Sequence, residues 1–319
     1  MMIRRTSVRG AQPFADVQRR RRGLLRRDSL TAYGLIIPAL AFLAVFVFYP
    51  ALATLWTSLT SYDLHIPVTH FVGVGNYASA LTSGEFWSSV ERSFIVVAIT
   101  LPLDMGIGLV AALVVHEKFV GRGLVRTLLI IPWMLPPIVN GFMWGWLLNG
   151  DYGALNGLLY QFHIIPHYVQ WLASPTSQLI WVSVAQAWTR YPFAMLLILA
   201  GLQNIPDEVY AAARVDGAGS LRLFRSVTFP LLLPSFLIAL VVEFIATFQI
   251  FDVIWSLTSG GAAGTTINPF TQTLMIYNYA VVFRDLRIGA GSAVAYLILL
   301  LSLLVGFLFI RLLGVREET

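Results

Sequence analysis

Six apolar stretches, each long enough to cross a bilayer, constrain the fold of this chain more than any other feature. A spanning helix needs about 20 apolar residues, within a range of about 17–25. Hydrophobic residues make up 57% of the 319 residues and charged residues only 12%, whereas soluble domains contain about one quarter charged residues. The stretches cover about residues 32–59, 94–115, 124–148, 179–202, 231–257 and 288–313. We therefore expect an all-α polytopic membrane protein with six transmembrane helices, the first kinked or broken by Pro38 and Pro50.

The distribution of basic residues predicts the orientation of these helices. Nine arginines precede the first stretch. The alternate segments that would lie on the same side also carry Lys118, Arg122, Arg126, Arg214, Arg222, Arg225, Arg311 and Arg316. The opposite segments carry only Arg92, Arg284 and Arg287. Because cytoplasmic segments carry the excess of Lys and Arg, both termini are predicted to be cytoplasmic. Residues 1–30 then form a basic tail and residues 31–319 the membrane domain. Attraction to phosphate lipids explains the tail, so no nucleic-acid partner is predicted.

Several kinds of chemistry are excluded by composition. The chain contains no cysteine, which removes disulfides, thiol catalysis and cysteine-based metal sites. The sole lysine, Lys118, follows Glu117, so no Gly-Lys-Ser/Thr phosphate loop is present. Asp216-Gly217 resembles part of an alcohol phosphatidyltransferase motif, but the later paired aspartates are missing. We therefore expect no enzyme activity, no metal and no cofactor in this chain.

The polar segment 203–230, between the fourth and fifth stretches, is predicted to form a bent helical hairpin. Pro206 suits the first position of a helix, and Asp207 and Glu208 favour its first turn. Asp216-Gly217 is expected to end it, because glycine tolerates a left-handed conformation. A second short helix is expected over 220–227, with Pro230 opening the next apolar stretch. From the residues alone, a solvated loop and a partner-binding surface both remain possible.

This segment resembles the cytoplasmic coupling loop of permease subunits of binding-protein-dependent ABC importers, with its Glu-Ala-Ala, Gly and Ile-x-Leu-Pro pattern. Ala211 stands where the family usually has Glu, and Phe229 where it has Leu; Glu208, one turn earlier, is a candidate substitute for the missing charge. The resemblance implies contact with an ATPase. The implied coupling residues are Asp207, Glu208, Tyr210, Ala211, Ala212, Asp216, Gly217, Ala218 and Pro230.

Further matches in order resemble the first permease subunit of sugar-type ABC importers. They include Phe71-Val72-Gly73, Gly121-Arg122, Pro132-Trp133, Tyr152-Gly153, Ala200-Gly201-Leu202-Gln203, Phe251-Asp252 and Gly260-Gly261, with Ala262 where the family usually has Pro. The resemblance implies a type I importer permease fold in a bacterial or archaeal cytoplasmic (inner) membrane. It also implies a second homologous permease as heterodimer partner, an ATPase dimer that holds ATP and Mg, an extracytoplasmic solute-binding protein and a sugar substrate.

Ionisable residues within the apolar stretches are candidate functional groups, because they are costly in a membrane. Asp104, Arg190, Glu243 and Asp252 are such residues. On a continuous fifth helix, Gln249, Asp252 and Ser256 would share one face, with Glu243 nearly opposite. Ser183, Gln186 and Arg190 would form a stripe on the fourth. Such stripes suit a hydrated pathway, but interhelical hydrogen bonds or an ion pair of Arg190 with a carboxylate explain them equally well.

The resemblance places sugar contacts at Arg190, Phe193, Gln249 and Asp252. Arg190 stands where related permeases usually have a small or uncharged residue, so two interpretations are open. It lines the pathway for an anionic solute such as glycerol phosphate or another polyol, or it pairs with Asp252. A self-sufficient secondary transporter would need an internal repeat or a proton-relay carboxylate, and neither is evident.

Overall fold

The computed structural model describes residues 34, 36–66, 68–258 and 267–313. The predicted basic tail, Gly260, Gly261, Ala262 and Arg316 lie outside the described residues. By its internal contacts the chain divides into two units, one up to Trp56 and the other from Thr57 onward. Throughout the described residues the regular elements are helices, and two isolated bridges, Thr60 with Phe71 and Asp63 with Ile66, are the only β pairing there. The expectation of an all-α chain is confirmed.

The helices are numbered here in chain order. They are α1 (Ile36–Ser58), α2 (Gly75–Thr82), α3 (Gly84–His116), α4 (Arg122–Met134), α5 (Pro137–Leu147), α6 (Ala154–Gln161), α7 (Pro175–Gln203), α8 (Asp207–Val215), α9 (Ser220–Phe248), α10 (Asp252–Thr258), α11 (Leu274–Tyr279, continued by a wide turn over Ala280–Arg284) and α12 (Ile288–Leu313).

Four of the described helices are long and apolar enough to cross a membrane: α1, α3, α9 and α12. A fifth crossing is formed if α4 and α5, which are bent by 94° relative to each other, are taken as one broken span. The predicted fourth span corresponds to α7, whose 29 residues extend about 43 Å at 1.5 Å per residue. α7 is long enough but less apolar than the others, because Gln186, Thr189 and Arg190 interrupt its middle.

Two wide helical turns change the predicted helix ends. In α1 the Tyr49 N–H bonds to the carbonyl of Ala44, and in α9 the Phe229 N–H bonds to that of Phe224. A proline ring clashes with the carbonyl four residues earlier in a regular helix, and a turn closed over five residues leaves more room there. Pro50 and Pro230 each follow directly after such a turn. The helices therefore continue through both prolines.

Three predictions are corrected by this geometry. α1 runs unbroken from Ile36 to Ser58, so of the kink or break expected at Pro38 and Pro50 the break is excluded. The second short helix expected over 220–227 is the beginning of α9, and Pro230 lies within that helix. Pro206 is the residue before α8 rather than its first helical residue.

The core of the larger unit is built by α3, α7 and α9. α3 and α7 pack along each other, and α9 packs against both. Their contact faces are apolar and buried, and they belong to one hydrophobic cluster that includes Val97, Leu101, Met105, Ala194, Met195, Ile198, Phe244 and Phe248. α12 covers α9, where the rings of Phe244 and Phe309 meet edge to face at 5.4 Å between centroids. This arrangement buries the polar residues in the middle of α3, α7 and α9 among the three helices.

Candidate functional site

The first wall of the candidate site is formed by the bend between α4 and α5. Leu135 has an extended backbone with φ −75° and ψ 132°, as expected for a residue whose successor is a proline. Pro136 then precedes α5, and Pro137 occupies its first turn. The sequence Leu135-Pro136-Pro137 therefore ends one helix and starts another, whereas we expected a single span over 124–148.

The second wall is formed by a break in the predicted fifth span. α9 ends at Phe248, the Gln249 N–H bonds to the carbonyl of Ile245, and α10 begins only at Asp252. The expectation of one continuous helix over 231–257 is therefore wrong. The predicted common face also changes, because Ser256 is buried and its hydroxyl donates to the carbonyl of Asp252 at 2.7 Å.

The half-helices α5 and α10 pack against each other through Gly141. A Cβ atom built at this position would lie 2.9 Å from Cβ of Ser256 and 3.0 Å from the carbonyl oxygen of Val253. Only a residue without a side chain permits this approach. On the same helix, Asn140 is buried and its amide donates to the carbonyl of Ala185 in α7 at 3.1 Å. The two broken spans are thereby held together and tied to α7.

A cavity of about 420 Å³ lies between these elements. Its polar lining combines Gln186, Thr189 and Arg190 of α7 with Gln249 and Asp252 at the break after α9. Aromatic surface comes from Trp133 and Phe251. The remaining lining residues are Leu135, Pro137, Ala246, Ile250 and Val253. Small-molecule sites combine apolar and aromatic walls with a few polar groups in this way.

Three of the four predicted pathway residues line this cavity, and the fourth supports it. Arg190, Gln249 and Asp252 are lining residues. Phe193 stacks near Trp133, with 5.5 Å between ring centroids, and lies 5.3 Å below the guanidinium of Arg190. Of the predicted α7 stripe, Ser183 is fully buried and donates to the carbonyl of Leu179. Sequence reasoning missed Trp133 and Phe251 as lining residues, although the adjacent prolines at 132, 136 and 137 were a signal of irregular backbone.

Arg190 is paired with Glu243, and not with Asp252 as one interpretation of the sequence had it. Its Nε donates to one carboxylate oxygen at 2.8 Å and its Nη2 to the other at 3.1 Å. Such two-pronged bonds are the strong form of this contact. Glu243 is 0% exposed and the Arg190 side chain 22%. Glu243 therefore lies in the core beside Arg190, whereas Asp252, after the helix break, is exposed at the cavity.

The electrostatic balance of the cavity follows from this pairing. The positive charge of Arg190 is compensated by Glu243. Asp252 is exposed and, within the described ranges, forms no salt bridge. The lining therefore offers hydrogen-bonding groups, aromatic faces and one uncompensated carboxylate.

The predicted coupling residues lie on a separate feature, helix α8 and the turn after it. Asp207 and Glu208 occupy its first turn, and Asp216 follows its last residue. The N–H of Gly217 bonds to the carbonyl of Arg214, and that of Ala218 to the carbonyl of Ala213. Gly217 has φ +77°. This bonding pattern with a left-handed glycine is a complete Schellman ending, so the predicted helix stop is confirmed.

The helix α8 presents a small-residue surface. Asp207, Glu208, Ala211 and Ala212 are exposed, whereas Tyr210 is half-buried and packs against the core cluster. Sequence reasoning missed Val215, which is 87% exposed beside these alanines, and Leu221, which is 65% exposed at the start of α9. An apolar residue directly before a helix-ending Asp-Gly pair was the available signal.

The chain is similar in sequence to one protein family and to individual permease proteins. Residues 104–317 match the family model described as binding-protein-dependent transport system inner membrane component. The chain is 36% identical over 284 residues to the trehalose/maltose transport system permease protein MalF of Thermococcus litoralis, covering 88% of this chain and 94% of that protein. It is 32% identical to the trehalose transport system permease protein SugA of Mycobacterium tuberculosis (strain H37Rv), covering 92% of each.

A solved structure has a similar fold. A chain of a bacterial ABC transporter involved in the import of the acidic polysaccharide alginate superimposes with a TM-score of 0.76, covering 94% of this chain and 100% of that chain. The two sequences are 17% identical, so this similarity concerns the fold alone.

Proposed function

We propose a specific role for this chain, which belongs to the family of binding-protein-dependent transport system inner membrane components. It is the permease subunit of an ABC importer, and it moves a neutral sugar or oligosaccharide through the cavity beside Arg190. The sugar class is supported by the relatives whose names state trehalose or maltose transport. The inference that the substrate is neutral rests on the two-pronged Arg190–Glu243 pair.

The choice between a neutral and an anionic solute rests on the charged side chains at the cavity. An anionic solute would need an uncompensated cation, and the cation nearest the cavity is already paired. It would also lie near the exposed carboxylate of Asp252, and like charges repel. A hydroxyl-rich solute instead finds donors and acceptors in Gln186, Thr189, Gln249 and Asp252, and flat apolar faces in Trp133 and Phe251.

Membership of the family supports the following assembly. This chain forms half of the translocation pathway and pairs with a second homologous permease in the cytoplasmic membrane. A solute-binding protein delivers the sugar from outside, and an ATPase dimer binds ATP and Mg and contacts α8. The six spans are α1, α3, the bent α4–α5 pair, α7, α9 with α10, and α12, with both termini on the cytoplasmic side.

In the proposed mechanism the permease alternates between two conformations, and ATP binding by the ATPase dimer favours one of them. ATP-driven closure of the ATPase dimer displaces α8, whose Tyr210 packs into the core formed by α3, α7 and α9. α9 begins three residues after Gly217 and ends at the cavity. Movement of α8 is therefore transmitted along α9 to Gln249 and to the paired half-helices α5 and α10.

The experiment that tests this role is solute-stimulated ATP hydrolysis by the reconstituted complex with its binding protein. We expect stimulation by neutral sugars and none by phosphorylated sugars or glycerol phosphate. Asp252→Asn should weaken stimulation by neutral sugars. Asp151→Asn, at an exposed site where the carboxylate accepts a hydrogen bond from Gln170, should not. Stimulation restricted to anionic solutes would contradict the neutral cargo and favour the glycerol phosphate alternative.

A further inference from the structure

Asp104 is a buried carboxyl group that the proposed transport role does not use. It lies in the middle of α3 and is 0% exposed. Among the described residues, neither of its oxygens has a hydrogen-bond donor when the group is written as a carboxylate. An ionised carboxylate left without partners in such a place is strongly unfavourable. The group therefore requires a proton, a cation or a partner.

The surroundings of Asp104 decide among these. The helices packed against α3 are α7, α9, α11, α4 and α2, and the charged side chains on them that act on Asp104 are Arg190 and Glu243. Glu243 is the carboxyl group that interacts with Asp104 there. Arg190, however, directs its Nε and Nη2 donors to Glu243. Two carboxyl groups thus face each other with one guanidinium, and that guanidinium is bound to only one of them.

We propose that Asp104 is a proton-binding site, and that its protonated carboxyl donates a hydrogen bond to Glu243 and so positions Arg190. Glu243 receives both Arg190 bonds, which identifies it as the ionised member of the pair. A proton on Asp104 turns an unpartnered acceptor into a donor and leaves the three groups electrically neutral in total. Two interacting carboxyl groups in a buried site generally hold one proton between them, because ionising both would place two negative charges together.

This inference deepens the proposed function and rests on it for its meaning in transport. With Asp104 protonated, Glu243 keeps Arg190 at the edge of the cavity, compensated and oriented over Phe193. Loss of the proton would place a second negative charge beside Glu243. The guanidinium would then be shared between two carboxylates and leave its position over Phe193. Asp104 is in this sense a positioning residue for Arg190.

Infrared difference spectroscopy tests the protonation directly, without any transport readout. The assembled complex at neutral pH should show the C=O absorption of an un-ionised carboxylic acid that is lost in Asp104→Asn and retained in Asp151→Asn. Incorporation of aspartate labelled with ¹³C at its side-chain carboxyl should shift the band, and labelled glutamate should not. Absence of the band, its loss in Asp151→Asn, or a shift with labelled glutamate would overturn the proposal. If Asp104→Asn fails to assemble, the labelled wild-type complex alone decides the outcome.

The positioning role needs a second readout that simple packing would not change. Solute-stimulated ATP hydrolysis by the wild type should fall at alkaline pH, where the infrared band also disappears. Asp104→Asn retains an N–H donor toward Glu243 without titrating, so its activity relative to wild type should rise as the pH increases. An unchanged ratio at every pH would contradict positioning. A complex with no solute stimulation at all would count against the proposed function, while the infrared result would still decide the proton.

Discussion

The cavity beside Arg190 and the helix α8 are built in opposite ways. α8 begins at acidic residues that favour a helix start and ends in a Schellman turn at Gly217, so its limits depend on neighbouring residues in the chain. The cavity brings together residues from α4, α5, α7, α9 and α10 that are up to about 120 positions apart, and its arginine is paired across helices. Local chemistry is thus sufficient to define α8, whereas the cavity depends on the packing of several helices.

The largest expected effect comes from opening the ion pair. Glu243→Gln should destabilise the complex by about 3 kcal/mol, the lower part of the range for breaking buried pairs, because Arg190 is partly exposed. It should also let anionic solutes stimulate ATP hydrolysis, since the guanidinium is no longer compensated. Thermal unfolding and the solute screen measure the two effects, and Glu91→Gln, at an exposed position, is the matched control. Unchanged stability and selectivity would mean that the pair carries neither role.

The next effect tests whether the cavity wall depends on close packing of α5 and α10. Gly141→Ala should destabilise by about 2 kcal/mol, within the range for overpacked sites, because the added Cβ would press on Ser256 and Val253. Gly145→Ala on the same helix is the control, since its Cβ would meet Leu257 at an ordinary 3.6 Å. Thermal unfolding of the two variants should differ. Equal values would show that the half-helices do not need this contact.

A smaller effect on stability, but a clear one on coupling, is expected at the turn after α8. Gly217→Val forces a β-branched residue into φ +77°, which costs about 1–2 kcal/mol. ATP hydrolysis should lose its dependence on solute while the helices remain inserted. Gly219→Val is the control, because Gly219 has φ −71° and open space around its Cβ. Normal coupling in Gly217→Val would show that the bend is dispensable.

The smallest expected change in stability is at Val215. Val215→Ser should alter stability by less than about 0.5 kcal/mol, as for other exposed positions, yet weaken assembly with the ATPase because the apolar contact is lost. Val120→Ser, at a fully exposed valine outside α8, should do neither. Co-purification of the ATPase with each variant measures this. Equal recovery would remove Val215 from the coupling surface.

Prediction from the sequence succeeded where structure depends on neighbouring residues, as in α8, and failed for parts of the cavity. The end of α8 at Gly217 and the position of α12 agree with expectation, because caps and apolar length act locally. The bend at Leu135 and the gap between Phe248 and Asp252 were missed. Apolar length does not reveal such a break, because a broken span can be as apolar as a continuous one. The pairing of Arg190 with Glu243 was also missed. On a continuous helix Glu243 lies on the face opposite Asp252, and the pathway was expected on the face of Asp252.

The sequence by itself determined the class of molecule. Its long apolar stretches permit only helices in a membrane, because every backbone polar group there must be bonded within its own segment. Its Ala-Ala-Ala and Asp-Gly pattern determined the limits of α8, since helix ends depend on the few residues beside them. Only the tertiary structure decided which carboxylate meets Arg190, where the spans break, and that Asp104 faces Glu243. Those outcomes depend on which helix faces meet across the core, and no periodicity within a single helix contains that information.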